Sequence, residues 1–203
     1  MAQAALPAGH AAAEHEQTST GLSNRKLLMW SFLGSECLFF GSLISTYLIY
    51  RNHSLVGPLP QEVFDIPYTS VSAFVLLMSS LTMVLALAAI QQGNVRQMRV
   101  WLMATALLGM VFVSGQVYEF TGFVREGLSL QKNLFGTTFF VLTGFHGAHV
   151  TVGVIILLSL FLNSLRGKVT QKDSLTVELA GLYWHFVDVV WIVIFTVVYL
   201  LPY

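Results

Sequence analysis

Five apolar runs, separated by short stretches that hold most of the Gly, Pro and charge, organise this chain at about 27–50, 68–90, 100–120, 134–163 and 177–201. Each reaches the roughly 20 residues a helix needs to cross a hydrocarbon core, and the fourth is long enough to tilt or to extend beyond it. Backbone amides find no water inside a bilayer, so each run must bond within itself. The predicted fold is therefore all-α, a polytopic five-transmembrane-helix bundle.

Plotted at about 100° per residue, three of the runs separate into faces. In the first, Ser31, Gly34, Ser35, Gly41, Ser42 and Ser45 share one side, a small-residue surface of the kind that lets membrane helices approach closely. Glu36 lies opposite, with Met29, Phe32, Phe40, Leu43 and Tyr47. If the small face packs inside the bundle, Glu36 is expected to look outward at something else. The fourth run sets His146 and His149 on a face with Phe139, Leu142 and Gly153, opposite a close-approach surface of Gly144, Ala148 and Thr151. In the fifth, Trp184, His185, Asp188, Trp191 and Tyr199 form a polar-aromatic flank, and Val187, Val190, Val193 and Val197 form one suited to lipid.

Composition supports the membrane reading, since 55% of residues are hydrophobic and only 10% charged, against roughly 25% charged in soluble domains. A formal net charge of zero gives no electrostatic case for nucleic acid. The single cysteine, Cys37, excludes an internal disulfide and any multi-thiolate metal site. Residues 1–25 lack a signal peptide's basic start and apolar core, and read as a disordered cytoplasmic tail in which His10 and His15 are solvated. Residues 26–203 then form the membrane domain.

Arg25, Lys26, Arg96, Arg99, Arg166, Lys168 and Lys172 fall on one side of a five-span chain, and Arg51, Arg125 and Lys132 on the other. The excess of basic residues places the N-terminus in the cytoplasm and the C-terminus outside.

The candidate chemistry is confined to Glu36, His146, His149, His185 and Asp188, the ionisable groups within the spans. Each costs roughly 2.5–3.5 kcal/mol at a helix centre on insertion scales, so each demands a partner. Interhelical hydrogen bonding is the packing explanation, at about 0.6 kcal/mol per bond. The His-x-x-His and His-x-x-Asp spacings also contain ingredients of a helical di-metal site, but such sites use more carboxylates, paired as Glu-x-x-His. Ser79, Ser80 and Thr82 read as packing hydroxyls. Glu119 reads as a rim carboxylate with Arg125 as its partner. The loop at 51–67, with Pro58, Pro60 and Pro67, reads as a short outer connection.

The stretch Tyr183-Trp-His-Phe-Val-Asp-Val-Val-Trp191 resembles the last-helix signature of subunit III of the haem-copper terminal oxidases, the cytochrome c oxidases and quinol oxidases. Thr143-Gly-Phe-His-Gly-Ala-His-Val150 resembles that family's histidine helix, and Ser35-Glu-Cys-Leu-Phe-Phe40 its glutamate helix, with weaker agreement at Ser79 to Thr82 and Gln116 to Glu119.

The resemblance implies a subunit with no catalytic residue, metal or redox cofactor of its own, docked on the catalytic subunit I beside subunit II, whose partners hold the haems and copper. Counting ligands agrees: three histidines lie in spans where the haem-binding subunit needs six, and one cysteine is present where the electron-entry subunit needs two. It further implies a V-shaped bundle with phospholipid in a cleft lined by Glu36, His146, His149, His185, Asp188, Trp184 and Trp191, or a place for these groups near proton entry. Such a protein resides in a bacterial inner membrane, supports a proton-pumping oxygen reductase, and works with cytochrome c or, alternatively, quinol as donor. The rivals are an intramembrane proton transporter using Glu36 and Asp188, which would call for repeats or broken helices that the chain lacks, and an intramembrane metalloenzyme.

Overall fold

The computed structural model describes residues 21, 23–51, 65–125 and 134–201. Five long helices account for nearly all of them: α1 Asn24–Tyr50, α2 Ile66–Gln91, α3 Val95–Arg125, α4 Leu134–Leu165 and α5 Ser174–Phe195, which runs on as a π-helical turn, Thr196–Leu200. All five are long and apolar enough to cross a membrane. The proposed tail before residue 21, most of the loop with Pro58 and Pro60, Lys132 and the last two residues lie outside the described residues.

Helices α1 to α4 are longer than their apolar runs, and α5 begins before its own, because caps and polar end residues extend the hydrogen-bond ladder. Ser23 caps α1 by accepting from the Lys26 amide, so Asn24 and Arg25 belong to the first helix and not to the tail. Asp65 accepts from the Tyr68 amide at 3.1 Å and starts α2. Pro67 then sits in the first turn of α2, where its missing N–H costs nothing, and not in the preceding loop. Asn94 accepts from the Gln97 amide at 3.1 Å to open α3. The two-helix reversal before it turns on Gly93, whose φ of +80° is disfavoured for any residue with a Cβ.

Helix α5 is the centre of the bundle and touches α1, α2 and α4, while α3 closes the far side against α2 and α4. Helix α1 contacts only α4 and α5 to any extent. One end of the bundle gathers the basic segments: Lys26 of α1 pairs with Glu178 of α5. There too Arg99 donates to the Ser164 hydroxyl at 2.7 Å, and Gln171 donates to the Gln91 carbonyl at 2.8 Å. The ends joined here are those that the loop charges assign to a single side.

Two face assignments reverse. On α1 the small residues Ser31, Gly34, Ser35, Gly41, Ser42 and Ser45 all point away from the chain's own core, and Leu33, Phe40 and Tyr47 point in. On α4, Ala148 and Thr151 are likewise exposed while His146, Leu142 and Phe139 are buried. The cause is volume: large apolar and aromatic side chains fill the space between α1, α4 and α5, whereas the hydroxyls on the small face are satisfied within their own helix, as in Ser45 to the Gly41 carbonyl. On α5 the lipid flank is rotated. Val187 and Val190 are buried, and Val189, Ile192 and Val193 are the exposed set, because a central helix is covered on more than one side.

Candidate functional site

The polar-aromatic residues of α5 divide into three environments. Trp184 is the keystone of the first. Its indole N–H donates to the Ser79 hydroxyl of α2 at 2.9 Å, and its ring passes between Gly109 of α3 and Gly153 of α4. A Cβ at Gly109 or Gly153 would fall 2.5 or 2.8 Å from that ring, so one tryptophan fixes the approach of four helices. His185 faces the same helix α2, with Nδ1 2.5 Å from the Ser80 hydroxyl. The packing hydroxyls of the sequence reading thus acquire specific indole and imidazole partners.

The second environment is fully enclosed. His146 of α4 is stacked on Trp191 of α5, with ring centroids 5.0 Å apart and planes at 22°. Phe112 of α3 meets both rings edge-on, and Phe40 of α1 closes another edge of the imidazole. Asp188, one helical turn before Trp191, is buried beside Ser80, which lies near the carboxyl without meeting hydrogen-bond geometry.

The third environment is open. Glu36 of α1 faces inward, against the outward orientation expected from the small face, and its Oε2 lies 3.2 Å from His149 Nε2. The other nitrogen of that imidazole, Nδ1, is 2.7 Å from the Phe145 carbonyl, which can only accept, so Nδ1 carries a proton. A neutral imidazole opposite a carboxylic acid and an imidazolium opposite a carboxylate have the same net charge of zero. Either way pairing lowers the cost that each group alone would carry at membrane depth. Tyr183 donates to the His149 carbonyl at 3.0 Å and closes the cluster.

Glu36, His149 and Tyr183 border a groove of about 810 Å³ between α1, α4 and α5. Its other walls are mainly apolar, including Met29, Phe32, Val152 and Leu179. The remaining candidates do not reach this groove: His146, Asp188, Trp184 and Trp191 are in the core, and His185 is on the α2 side.

Glu119 is also placed differently from the rim reading. It is turned inward and accepts from the Thr69 hydroxyl at 2.6 Å and the Tyr199 hydroxyl at 3.4 Å. Arg125 is exposed, and the two form no ion pair. Periodicity alone could not find Thr69 and Tyr199 as partners of Glu119, because they lie on other helices, 50 and 80 positions away. Gln116 was likewise missed as a bridge. It donates to the Thr143 carbonyl at 3.1 Å across a contact that Gly147 keeps open.

Among the described residues, no three His, Cys, Asp or Glu side chains converge closely enough to hold a metal ion. Glu36 faces His149, His185 meets Ser80 and the His146 ring is stacked on Trp191, while the His146 nitrogens and the Asp188 oxygens have no hydrogen-bond partner.

A family model described as "Cytochrome c oxidase subunit III" matches residues 12–203. The chain is 38% identical to a quinol oxidase subunit 3 of Bacillus spizizenii, over 91% of this chain and 90% of the relative. It is also 38% identical to a cytochrome c oxidase subunit 3 of Bacillus sp. strain PS3, over 94% and 92%. A cytochrome bo(3) ubiquinol oxidase subunit 3 of Pseudomonas aeruginosa is 34% identical, over 93% and 90%.

Proposed function

Because the chain belongs to the cytochrome c oxidase subunit III family of the haem-copper oxidases, we propose that it is the non-redox subunit III of a cytochrome c oxidase in a bacterial inner membrane. In this reading it docks on subunit I beside subunit II, holds its N-terminus in the cytoplasm, stabilises the catalytic subunit and supports sustained proton uptake. The haems and copper reside in the partners. The observation that carries the reading is the likeness to oxidase subunits 3 along nearly the whole chain, and the placement of His185 against Ser80 and of Glu36 against His149 is what an interhelical packing role for these groups calls for. Phospholipid occupies the groove between α1, α4 and α5, its acyl chain against the apolar walls.

A quinol donor is the second reading, favoured by a relative of that name at the same 38% identity as the cytochrome c oxidase relative. One experiment separates them. A tagged copy is recovered from its native membrane in mild detergent, and a reduced-minus-oxidised spectrum is recorded. Oxygen consumption is then driven in turn by reduced cytochrome c and by a quinol. Co-purifying haem with cytochrome c turnover is the expected result. Turnover by quinol alone moves the chain to the second reading, and recovery without haem overturns both. In the same preparation, Asp188→Asn with His185→Ala is expected to weaken assembly or cause gradual loss of turnover while haem spectra persist.

A further inference from the structure

Five buried polar atoms in the core around α5 have no hydrogen-bond partner: both imidazole nitrogens of His146, both carboxyl oxygens of Asp188, which lies beside Ser80 of α2, and the indole Nε1 of Trp191. His146 is stacked directly on Trp191, and Asp188 precedes Trp191 by three residues on the same face of α5. The three side chains are 0%, 3% and 2% exposed. Isolated orphans of this kind are individually costly, and buried polar groups in folded proteins are satisfied almost without exception by protein or by ordered water.

We propose that this contact is a binding site for internal water, held by Trp191, His146 and Asp188. The donor and acceptor chemistry is complementary. The indole N–H can only donate, the carboxyl oxygens accept, and a neutral imidazole supplies one donor and one acceptor on opposite edges of its ring, so small molecules able both to donate and to accept match the set, and more than one of them is needed to reach both imidazole nitrogens. Crowding points the same way: Phe40 and Phe112 stand edge-on around His146, and Phe112 also abuts Trp191, so the surroundings are aromatic and favour a small ligand. A cation is a poor fit, since an indole nitrogen does not ligate and only one carboxylate and one imidazole are on hand. The bridge would tie α4 to α5 through hydrogen bonds that neither helix makes alone.

Radiolytic hydroxyl-radical footprinting of the assembled oxidase tests this, because side chains touching bound water are oxidised even when shielded from bulk solvent. The chain carries its own control. Trp184 lies on the same helix and is 1% exposed, but its N–H is bonded to Ser79. Trp191 is expected to be labelled several-fold faster than Trp184, and His146→Phe, which keeps an aromatic ring in the stack, is expected to reduce the difference. Equal protection of the two tryptophans in the wild-type complex would overturn the proposal, and that comparison stands even if the variant does not assemble. Fast labelling of Trp191 that His146→Phe leaves unchanged would remove His146 from the site and likewise overturn it as stated.

Discussion

Gly153 of α4 faces the ring of Trp184 of α5 so closely that a single added methyl group would stand 2.8 Å from it. The ring cannot retreat, because Gly109 of α3 bounds its other side and Ser79 of α2 holds its N–H. Gly153→Ala should therefore destabilise the subunit by about 1–3 kcal/mol, the usual cost of overpacking a well-filled core. Gly34→Ala is the counterpart, since nothing lies within 4 Å of its would-be Cβ. That change should be neutral or mildly stabilising, by about 0.5–1 kcal/mol, through helix propensity. Thermal unfolding of the purified complex, followed by loss of subunit III, separates the two.

Ser79 and Trp184 should behave as a coupled pair. Ser79→Ala leaves a buried indole N–H unpaired, at about 1–3 kcal/mol. Trp184→Phe removes the donor and opens a space between the two glycines. If the 2.9 Å bond is the main link, the double variant should be less unstable than the sum of the singles by about 0.5–1.5 kcal/mol. Strict additivity in a double-mutant cycle would show that the indole contributes shape alone.

Helix number and approximate span were legible because apolar run length and backbone satisfaction leave one economical answer. The polar residues were legible as a set for the same energetic reason. Their partners were less so. The small face of α1 looked like a packing face because small residues permit close approach, but permission is not preference. Within this chain the same helix had a second face, with Leu33, Phe40 and Tyr47, that could bury more surface. Glu36 turned inward with that face. Trp184 was visible as aromatic, whereas Gly109 and Gly153, which receive it, lie 75 and 31 positions before it, and no local pattern connects them. Tyr199 was visible on the polar-aromatic flank, but its partner Glu119 lies on another helix, 80 positions earlier, and no local pattern connects them.

Lys26 and Glu178 join the starts of α1 and α5, with both side chains 28% exposed. Half-exposed pairs of this kind contribute little, about 0.2–1 kcal/mol. The larger effect should be on register, since α1 has only α4 and α5 to hold it. Lys26→Glu should lower the yield of assembled subunit, and the swap Lys26→Glu with Glu178→Lys should restore it. Failure of the swap would assign the defect to altered topogenic charge, because Lys26 also belongs to the basic excess that orients the chain.

Glu119 and Arg125 should respond in opposite ways to removal. Arg125 is exposed and unpaired with Glu119, so Arg125→Ala should stay within about 0.5 kcal/mol of the parent. Glu119→Leu removes the acceptor that Thr69 and Tyr199 share, although Thr69 still donates to the Asp65 carbonyl at 3.0 Å, and should cost about 1–3 kcal/mol. Glu119→Gln keeps an acceptor oxygen and should lie between them. An equal loss from Arg125→Ala and Glu119→Leu, read as melting of the purified complex, would reinstate the ion pair at the rim.

The Glu36–His149 pair opens on the groove, and its side chains are only about one-fifth exposed, at 18% and 20%. Removing one partner strands the other at membrane depth, whereas removing both removes the polarity with its cost. Buried pairs elsewhere follow this asymmetry: single deletions are strongly destabilising and apolar replacement of the whole pair is often neutral. Glu36→Leu and His149→Phe should each shorten the period of sustained turnover and lower stability by about 1–3 kcal/mol. The double variant should recover the stability. Recovery of stability without recovery of turnover would locate a proton-related role in the pair itself, since packing alone would restore both. Full recovery of both would leave the pair a structural joint between α1 and α4.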